Sequence, residues 1–168
     1  MITAYTLDAG IIVEIRCSSE MRIPDLALWV DLFSPTHEER ALAEAWIGTE
    51  IPTREEMAAI ETSERLYEFQ SALIMTAVMP LIARNPDPKS AAMTLVATKD
   101  RLVSLRHGEP AAVAIAVRRI QHEGVPIRSA CDILFTLLDA IADRAADVVE
   151  ECSAEFDAVS SQVFGVGL

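Results

Sequence analysis

Two stretches near the middle of the chain each have the pattern of two β-strands joined by a tight turn, and this limits the possible folds more than any other feature. In "ERLYEFQSALIMTAVMPLIA" the turn falls near Gln70 and Ser71, and in "AAMTLVATKDRLVSLRHGEP" it falls at "KD". A third hairpin is predicted at 1–7 and 11–16, where β-rich runs flank "DAG". Strands that come in pairs favour an α+β or mixed α/β sandwich over a regular βαβ alternation.

Helix start signals precede the central hairpins. Ser34 is predicted to cap a helix that has Pro35 at its first helical position, and Gly48 is predicted to end that helix. Thr53, with Glu56 three residues later, has the spacing of a capping box and predicts a second helix.

Two further helices are predicted after the hairpins. Pro110 opens a helix that runs to about His122, "EGVP" breaks it, and a long helix begins at about Ser129. The chain thus has strands in the middle and helices on both sides of them in sequence.

The last helix is amphipathic and strongly acidic. Between Thr136 and Phe164 it has seven acidic residues and a single basic one, Arg144. Its apolar face is formed by Leu134, Leu138, Ile141, Ala145, Val148, Cys152 and Val159. At about 100° per residue, the opposite side has an acidic stripe roughly 80° wide. That stripe consists of Asp132, Asp139, Asp143, Asp147, Glu150 and Asp157.

The net charge of −12 narrows the classes of partner. A phosphate backbone or an anionic membrane surface would repel such a chain, so nucleic acid is not expected as a partner. Basic proteins or metal cations are suitable instead. Half of the residues are apolar, which supplies one core in a chain of 168 residues.

The cysteines and the apolar stretches predict a soluble intracellular protein. Cys17, Cys131 and Cys152 have no Cys-x-x-Cys spacing, so we expect reduced thiols rather than disulfides or structural zinc, with Cys131 buried as a small apolar residue. No signal peptide is recognisable at the N-terminus. The longest apolar stretch begins at Ser71 and is interrupted by Pro80, which makes it too short to span a bilayer.

Sequence signatures of catalysis are absent. The chain has no glycine-rich phosphate loop, no Gly-x-Ser-x-Gly and no His-Glu-x-x-His. His37, His107 and His122 lie far apart in sequence and are interpreted as surface or loop histidines. We therefore expect no enzyme and no obligatory cofactor.

The acidic ladder on the last helix is the one constellation with possible chemistry. Asp139, Asp143 and Asp147 stand at i, i+4 and i+8, so their carboxylates lie on one face and repel one another. A hard cation such as Mg²⁺ or Ca²⁺ prefers oxygen ligands and would offset that repulsion. The alternative is a solvated face that keeps the protein soluble.

Five phrases in a fixed order resemble the N-terminal domain of the CorA-like divalent cation transporters, including the ZntB branch. They are "WVDLFSPTHEE", "IPTREEMAAIE", "SERLYEFQSALIMTAVM", "TLVATKDRLVSLRHGEP" and "DILFTLLDAIADRAADVVEECSAEFDAVSSQVF". Each phrase alone is a weak signal, but together they cover Trp29 to Phe164.

The resemblance implies an α/β/α sandwich with a mixed, largely antiparallel sheet, followed by the long acidic helix. It places the sandwich at 1–128 and the acidic helical segment at 129–168, leading toward a stalk and membrane region absent from this sequence. The implied protein is a pentameric transporter of Mg²⁺, Co²⁺, Ni²⁺ or Zn²⁺ whose cytoplasmic domain forms the mouth of a funnel at the inner face of the cell membrane. It also implies a regulatory divalent ion held between neighbouring domains by carboxylates.

The resemblance also suggests the residues of that metal site. "LLDAIAD" matches a family segment and makes Asp139 the first candidate ligand, with Asp143 one turn later and Asp147 beyond it. Glu56 is the candidate on the opposing side, where family members have a Glu-Asp pair and this chain has Glu56 and Met57.

The sequence departs from the family in one further respect. The Gly-Met-Asn pore signature and both transmembrane helices are absent from it, so we expect a soluble piece that transports nothing alone. The remaining alternative is a soluble acidic protein-binding module without a transport role.

Overall fold

A seven-stranded mixed sheet forms the centre of the structure and separates two layers of helices. The computed structural model describes residues 1–17, 22–59, 65–81 and 89–164. The strands in those ranges are β1 (Ile2–Asp8), β2 (Ile11–Cys17), β3 (Ala27–Phe33), β4 (Leu66–Phe69), β5 (Ala72–Leu81), β6 (Lys89–Ala97) and β7 (Leu102–Arg106). The helices are α1 (His37–Ile47), α2 (Arg54–Ala59), α3 (Ala111–His122) and α4 (Ala130–Phe164).

The strand order is β2-β1-β3-β7-β6-β5-β4. Among the strands of the described ranges, one neighbouring pair is parallel, β3 with β7, and its register runs from Trp29 opposite Leu102 to Phe33 opposite Arg106. The other pairs are antiparallel, and the three predicted hairpins are present as β1–β2, β4–β5 and β6–β7. The prediction of a mixed, largely antiparallel sheet is confirmed. Residues 82–83 of the second predicted strand and residues 165–168 of the predicted helical segment lie outside the described residues.

The hairpin turns have the backbone geometry that tight turns need. Gln70 and Ser71 both have positive φ, 48° and 64°, as a two-residue connection of the type I′ class requires. Ala9 and Gly10 between β1 and β2 also have positive φ. The handedness of these turns matches the right-handed twist of the strands that they join.

Alternate residues of each strand point to opposite faces of the sheet, so each face has its own core. Val103 and Leu105 of β7 pack with α1 and α2, whereas Leu102 packs with α3 and α4. The α1–α2 layer contributes Ala43, Trp46, Ile47 and Met57. The α3–α4 layer contributes Ala112, Val113, Ala116, Ile120, Ile133, Leu134, Leu137 and Ala140. The α/β/α sandwich is therefore confirmed, while the division at residue 128 stays a prediction.

The start of α1 differs from the prediction. Thr36, not Ser34, is the N-cap: its hydroxyl accepts from the Glu39 backbone at 3.2 Å, and the Glu39 carboxylate accepts from the Thr36 backbone at 2.9 Å. Ser34 instead has a positive φ of 42°. The Thr-x-x-Glu capping box satisfies two backbone donors, which a serine cap at position 34 would not do. At α2, the predicted Thr53–Glu56 box is present.

Helix α4 packs on the sheet along only part of its length. Ser129 caps it, because its hydroxyl accepts from the Asp132 backbone at 3.3 Å. The buried face passes through Ile133, Leu137 and Ala140, and from residue 149 onward almost every side chain is exposed. The predicted apolar face is thus only half right: Leu134, Leu138, Ile141 and Val148 are buried or half-buried, but Ala145, Cys152 and Val159 are exposed.

The cysteines are free in the structure, but their burial was predicted wrongly in one case. Cys17 is buried, whereas Cys131 and Cys152 are exposed. Cys131 is the second residue of α4 and lies next to Ala130, which takes the buried position on that turn. A helix turn that packs on a sheet by one face leaves the adjacent position toward solvent, which explains the difference.

Candidate cation site on the acidic helix

The structure separates the four predicted metal ligands into two groups. Asp139, Asp143 and Asp147 lie exposed along the outer side of α4, on the α3–α4 face of the sheet. Glu56 lies exposed on α2, which packs on the other face through Met57. A single chain therefore does not bring Glu56 to the three aspartates.

Asp143 has a cationic partner from the neighbouring helix. Arg119 of α3 donates from Nη2 to Asp143 Oδ2 at 2.7 Å, and this hydrogen bond raises the pKa of the Arg119 guanidinium. The pair joins α3 to α4 on the exposed side of their interface. Because it is open to water, the pair is also open to competition from a cation.

Arg144 partly neutralises the next turns of α4. Its guanidinium lies 3.3 Å from Asp147 Oδ2 and 3.3 Å from Glu151 Oε1. The Arg144 side chain is 11% exposed, while both carboxylates are exposed. One arginine thus serves two acidic residues.

Most other carboxylates of this helix make no salt bridge with the described residues. Within the ranges that the structure describes, no salt bridge is made by Asp139, Glu150, Glu155 or Asp157. Nor does that part of the chain hold a cluster of three or more His, Cys, Asp or Glu side chains arranged for a metal ion. Any cation on the ladder would be held by one or two carboxylates and would keep most of its water, which is the usual mode for Mg²⁺.

Glu56 has a structural role already. Its carboxylate accepts from the Thr53 backbone at 2.7 Å, and this hydrogen bond lowers the pKa of Glu56. Glu56 is exposed and lies beside an open cavity of about 650 Å³ that is also lined by Glu44, Glu50 and Tyr67. Met57 is buried, so Glu56 is the one carboxylate at the two positions where the resemblance implies a Glu-Asp pair.

A buried polar network on the parallel strand pair was not found from the sequence. Asp31 of β3 accepts two hydrogen bonds from Arg106 Nε, at 3.2 and 3.0 Å, and one from Arg106 Nη2 at 2.8 Å. Ser104 donates to Asp31 at 2.6 Å and accepts from Trp29 Nε1 at 2.9 Å. Asp31 is 3% exposed and Arg106 is 13% exposed. These hydrogen bonds join β3 to β7, the parallel strand pair in the interior of the sheet.

The surroundings of that network are aromatic. Tyr5 stacks on Trp29 with ring centroids 4.1 Å apart, and Arg106 lies over the Phe33 ring at 4.7 Å. Burial, followed by the nearby Asp31 charge, raises the pKa of Tyr5 above its usual range. The signal that points to the network is Asp31 itself, an acidic residue inside the apolar run "LWVDLF", since a buried charge needs a partner.

The sequence matches the model of the CorA-like Mg²⁺ transporter protein family over residues 25–166. The chain belongs to the CorA-like Mg²⁺ transporter family. Since that is a family of transporters, the expectation that the chain is not an enzyme agrees with its membership.

Known proteins similar to the chain agree with this assignment. The magnesium transport protein CorA of Salmonella typhimurium is 22% identical over 160 residues, which are 95% of this chain and 50% of that protein. The soluble domain of CorA from Methanocaldococcus jannaschii superposes with a TM-score of 0.68 at 14% identity, covering 98% of this chain and 65% of that one. The ZntB cytoplasmic domain from Vibrio parahaemolyticus gives 0.64 at 13% identity, covering 92% and 64%.

The similarity extends to the fold and to about half the length of the curated relative. The two superpositions show the same fold, and the CorA-like chain spans about half the length of the curated relative that it matches. In the described ranges, no helix is long and apolar enough to cross a membrane.

Proposed function

We propose that this chain is the cytoplasmic regulatory domain of a CorA-like divalent cation transporter, and that α4 attracts and senses the cation. The observation that carries the proposal is the exposed acidic side of α4, where Asp139 has no salt bridge and Asp143 has one that water and ions can reach. Family membership supplies the transport context, and the similar protein of Salmonella typhimurium is a magnesium transport protein.

The physical role of the acidic side is electrostatic. Carboxylates at i and i+4 on one helix repel each other by a few tenths of a kcal/mol. Arg119 offsets this repulsion at Asp143, and a divalent ion between Asp139 and Asp143 would offset it in the place of the guanidinium. With two protein oxygens and mostly water as ligands, the ion is bound weakly, which suits sensing at millimolar rather than micromolar concentration. Glu56 belongs to the site only through a neighbouring chain, because it lies on the other face of the sheet.

The pentamer, the cytoplasmic location and the choice among Mg²⁺, Co²⁺, Ni²⁺ and Zn²⁺ are parts of the same proposal. They are properties of the longer relatives, of which this chain covers about half in the case of the Salmonella typhimurium protein. For the chain alone, the net charge of −12 opposes self-assembly. We expect a monomer or weak oligomer at micromolar concentration, and light scattering at low and moderate salt tests this.

The test of cation sensing is a melting experiment. Millimolar MgCl₂ is expected to raise the Tm of the chain more than NaCl of equal ionic strength, because a ligand that binds only the folded state stabilises it by mass action. Asp139→Asn with Asp143→Asn should remove the increment specific to Mg²⁺. The matched control is Glu150→Gln with Asp157→Asn, which removes the same charge further along α4 and should retain the increment.

Two results would overturn the proposal. If Mg²⁺ has no effect beyond ionic strength, the acidic side is a solvated surface and not a sensor. If the control pair loses the increment as fully as the Asp139 and Asp143 pair, cations are held by diffuse charge and not at these two residues.

A further inference from the structure

A group of basic side chains lies on the α1–α2 side of the sheet, away from the acidic helix. An open cavity of about 240 Å³ is found there between the start of α1, the start of α2 and the end of β7. Its lining has one acidic side chain, Glu55, and four basic ones, which are His37, Arg40, Arg54 and His107. In a chain with a net charge of −12, a cavity lined mainly by basic groups is a local exception that favours an anion.

Three separate elements bring these side chains together. His37 is the first residue of α1, and Arg40 lies three residues later, on the same side of that helix. Arg54 is the first residue of α2, and His107 directly follows β7. Capping boxes fix where both helices start, and the sheet fixes the end of β7. The basic groups are therefore positioned by the fold before any ligand arrives.

Both arginines retain hydrogen-bond donors for a ligand. Arg40 donates from Nη1 to the Ile51 carbonyl at 3.2 Å, and its Nε lies 3.8 Å from a Glu44 carboxylate oxygen. Its Nη2 has no partner among the described residues. Arg54 is exposed and makes no salt bridge with the part of the chain that the structure describes. Two guanidinium groups thus line one small cavity with donors to spare.

His107 lies beside these arginines without a partner of its own. Its Nε2 atom is buried and makes no hydrogen bond with the described residues. Burial, followed by the nearby Arg54 charge, lowers the pKa of His107, and Glu55 opposes this only in part. Cationic groups that converge with a single carboxylate among them repel one another, and an anion between them would relieve that repulsion.

A second cavity adjoins the first. It has a volume of about 190 Å³ and shares Arg54 and His107 with the first cavity. The rest of its lining is mostly small side chains, from Met57, Ala58, Ser90, Ala91, Ala92 and Gly108. Each cavity is below the roughly 300–1,000 Å³ that encloses a drug-sized ligand, so the space suits a small one.

From this geometry we infer that the basic cleft, formed by His37, Arg40, Arg54 and His107, binds the phosphate group of inorganic phosphate or of a small phosphate monoester. The planar guanidinium fork matches two phosphate oxygens, and donors that approach from three elements suit a tetrahedral anion. The second cavity would take the remainder of an ester. The inference does not depend on cation sensing, because the basic cleft and Asp139 lie on opposite sides of the sheet.

The bound anion changes the protonation of His107. Its charge offsets the effect of Arg54 and favours the imidazolium, which can then donate to a phosphate oxygen. Since Nε2 is closed to water in this structure, the ring has to turn for that hydrogen bond to form. The other charged or titratable groups in the lining are His37 and Arg40 from α1 and Glu55 from α2. We therefore expect the pKa of His107 to rise when phosphate binds.

The test is an NMR titration of the full chain with inorganic phosphate, without divalent cations and with chloride holding the ionic strength constant. The imidazole signals of His107 should move and saturate, while those of His122 on α3, outside the cleft, should not. Glycerol 3-phosphate and glycerol are the further probes. Tighter binding of glycerol 3-phosphate than of phosphate supports a monoester as the ligand, and equal binding supports phosphate alone. Glycerol should not bind.

Variants of the chain place the binding in the basic cleft. Arg54→Gln should weaken phosphate binding by at least about tenfold, since a charge-assisted pair is lost. The residue is exposed, so the fold should be retained, and urea denaturation verifies this. Arg128→Gln is the matched control, because it removes the same charge from an exposed position just before α4. The control should bind phosphate as the wild type does.

Three results would overturn the inference. If chloride at equal ionic strength produces the same changes as phosphate, the cleft has no preference for a phosphate group. If Arg128→Gln weakens binding as much as Arg54→Gln, diffuse charge holds the anion. If phosphate binds but the signals of His107 stay fixed, the anion lies outside the basic cleft.

Discussion

The protein holds its charged side chains in two settings, and the contrast separates what builds the fold from what is available for function. On the parallel pair β3–β7, Asp31 and Arg106 are nearly enclosed and joined by three hydrogen bonds. On α4, the Arg119–Asp143 pair and the Arg144 pairs are open to water on the carboxylate side.

The difference has a physical consequence for each group. An enclosed charge that loses its partner keeps the cost of having been taken out of water. An exposed charge that loses its partner is solvated again at little cost. The exposed carboxylates of α4 can therefore exchange their arginine partners for a cation or another chain with little loss of stability.

Asp31→Asn should give the largest effect, because it leaves Arg106 buried without a counter-charge. We expect a loss of about 3–5 kcal/mol in the free energy of unfolding, measured by urea denaturation. The free energy of unfolding of a typical domain is about 5–15 kcal/mol, so a loss of this size would remove a large part of the stability of the chain. The double variant Asp31→Asn with Arg106→Met should be less destabilised than the single one. A single variant that loses under about 1 kcal/mol would show that this pair behaves as an exposed one.

Ser104→Ala should have an intermediate effect, since it deletes the link between Trp29 and Asp31. The indole N–H then lacks its acceptor and the carboxylate lacks one donor, at a cost of about 1–3 kcal/mol. Ser153→Ala, at an exposed position on α4, is the control and should be nearly neutral. Equal urea midpoints for the two variants would mean that the hydroxyl of Ser104 is not needed by the network.

The sequence predicts the local structure well and the long-range pairing poorly. Hairpins and caps are encoded within a few residues, so the turn at Gln70 and Ser71 and the box at Thr53 and Glu56 were predicted correctly. The pairing of β3 with β7 joins residues about seventy positions apart, and no pattern near Asp31 in the sequence indicates that Arg106 is its partner.

The face of α4 that packs was predicted only in part, for a related reason. A helix with apolar residues on more than one side can present either side to the sheet, and the spacing alone does not decide. The sheet packs against the side of Ile133 and Leu137, and the apolar side chains of Val149 and Phe156 are left exposed. The metal ligands Asp139, Asp143, Asp147 and Glu56 stay predictions, because their arrangement between chains is not a property of one chain.

Asp132→Asn should give a smaller effect that depends on pH. Backbone hydrogen bonds from Arg128, then those of Ser129, lower the pKa of Asp132. The carboxylate therefore stabilises the fold fully when the pH is above the pKa that Asp132 has in the unfolded chain, about 3.9. This stabilisation is lost as the pH falls through the lower pKa that Asp132 has in the folded chain. We expect a loss of about 0.5 kcal/mol at pH 7 that shrinks toward zero in strong acid. Melting curves of the wild type and variant across pH measure it.

The control for this prediction is Asp157→Asn, far along α4, where the carboxylate makes no hydrogen bond with the described residues. Its Tm should differ little from that of the wild type at any pH. A difference for Asp132→Asn that persists unchanged into acid would show that the side chain acts through its shape and not through its charge.

Arg119→Gln should give the smallest change in stability and the most informative change in cation response. The substitution removes the exposed partner of Asp143, so the Tm should fall by no more than about two degrees. The freed carboxylate then stands beside Asp139 without competition, and the rise in Tm caused by millimolar Mg²⁺ should exceed that of the wild type.

Arg118→Gln is the matched control, because it deletes the neighbouring charge, which pairs with Glu123 instead. If both variants respond to Mg²⁺ equally, long-range charge governs the response and Asp143 is not a ligand. If Arg119→Gln alone collapses the fold, the pair is structural, and the distinction between the enclosed and the exposed charges of this protein does not hold.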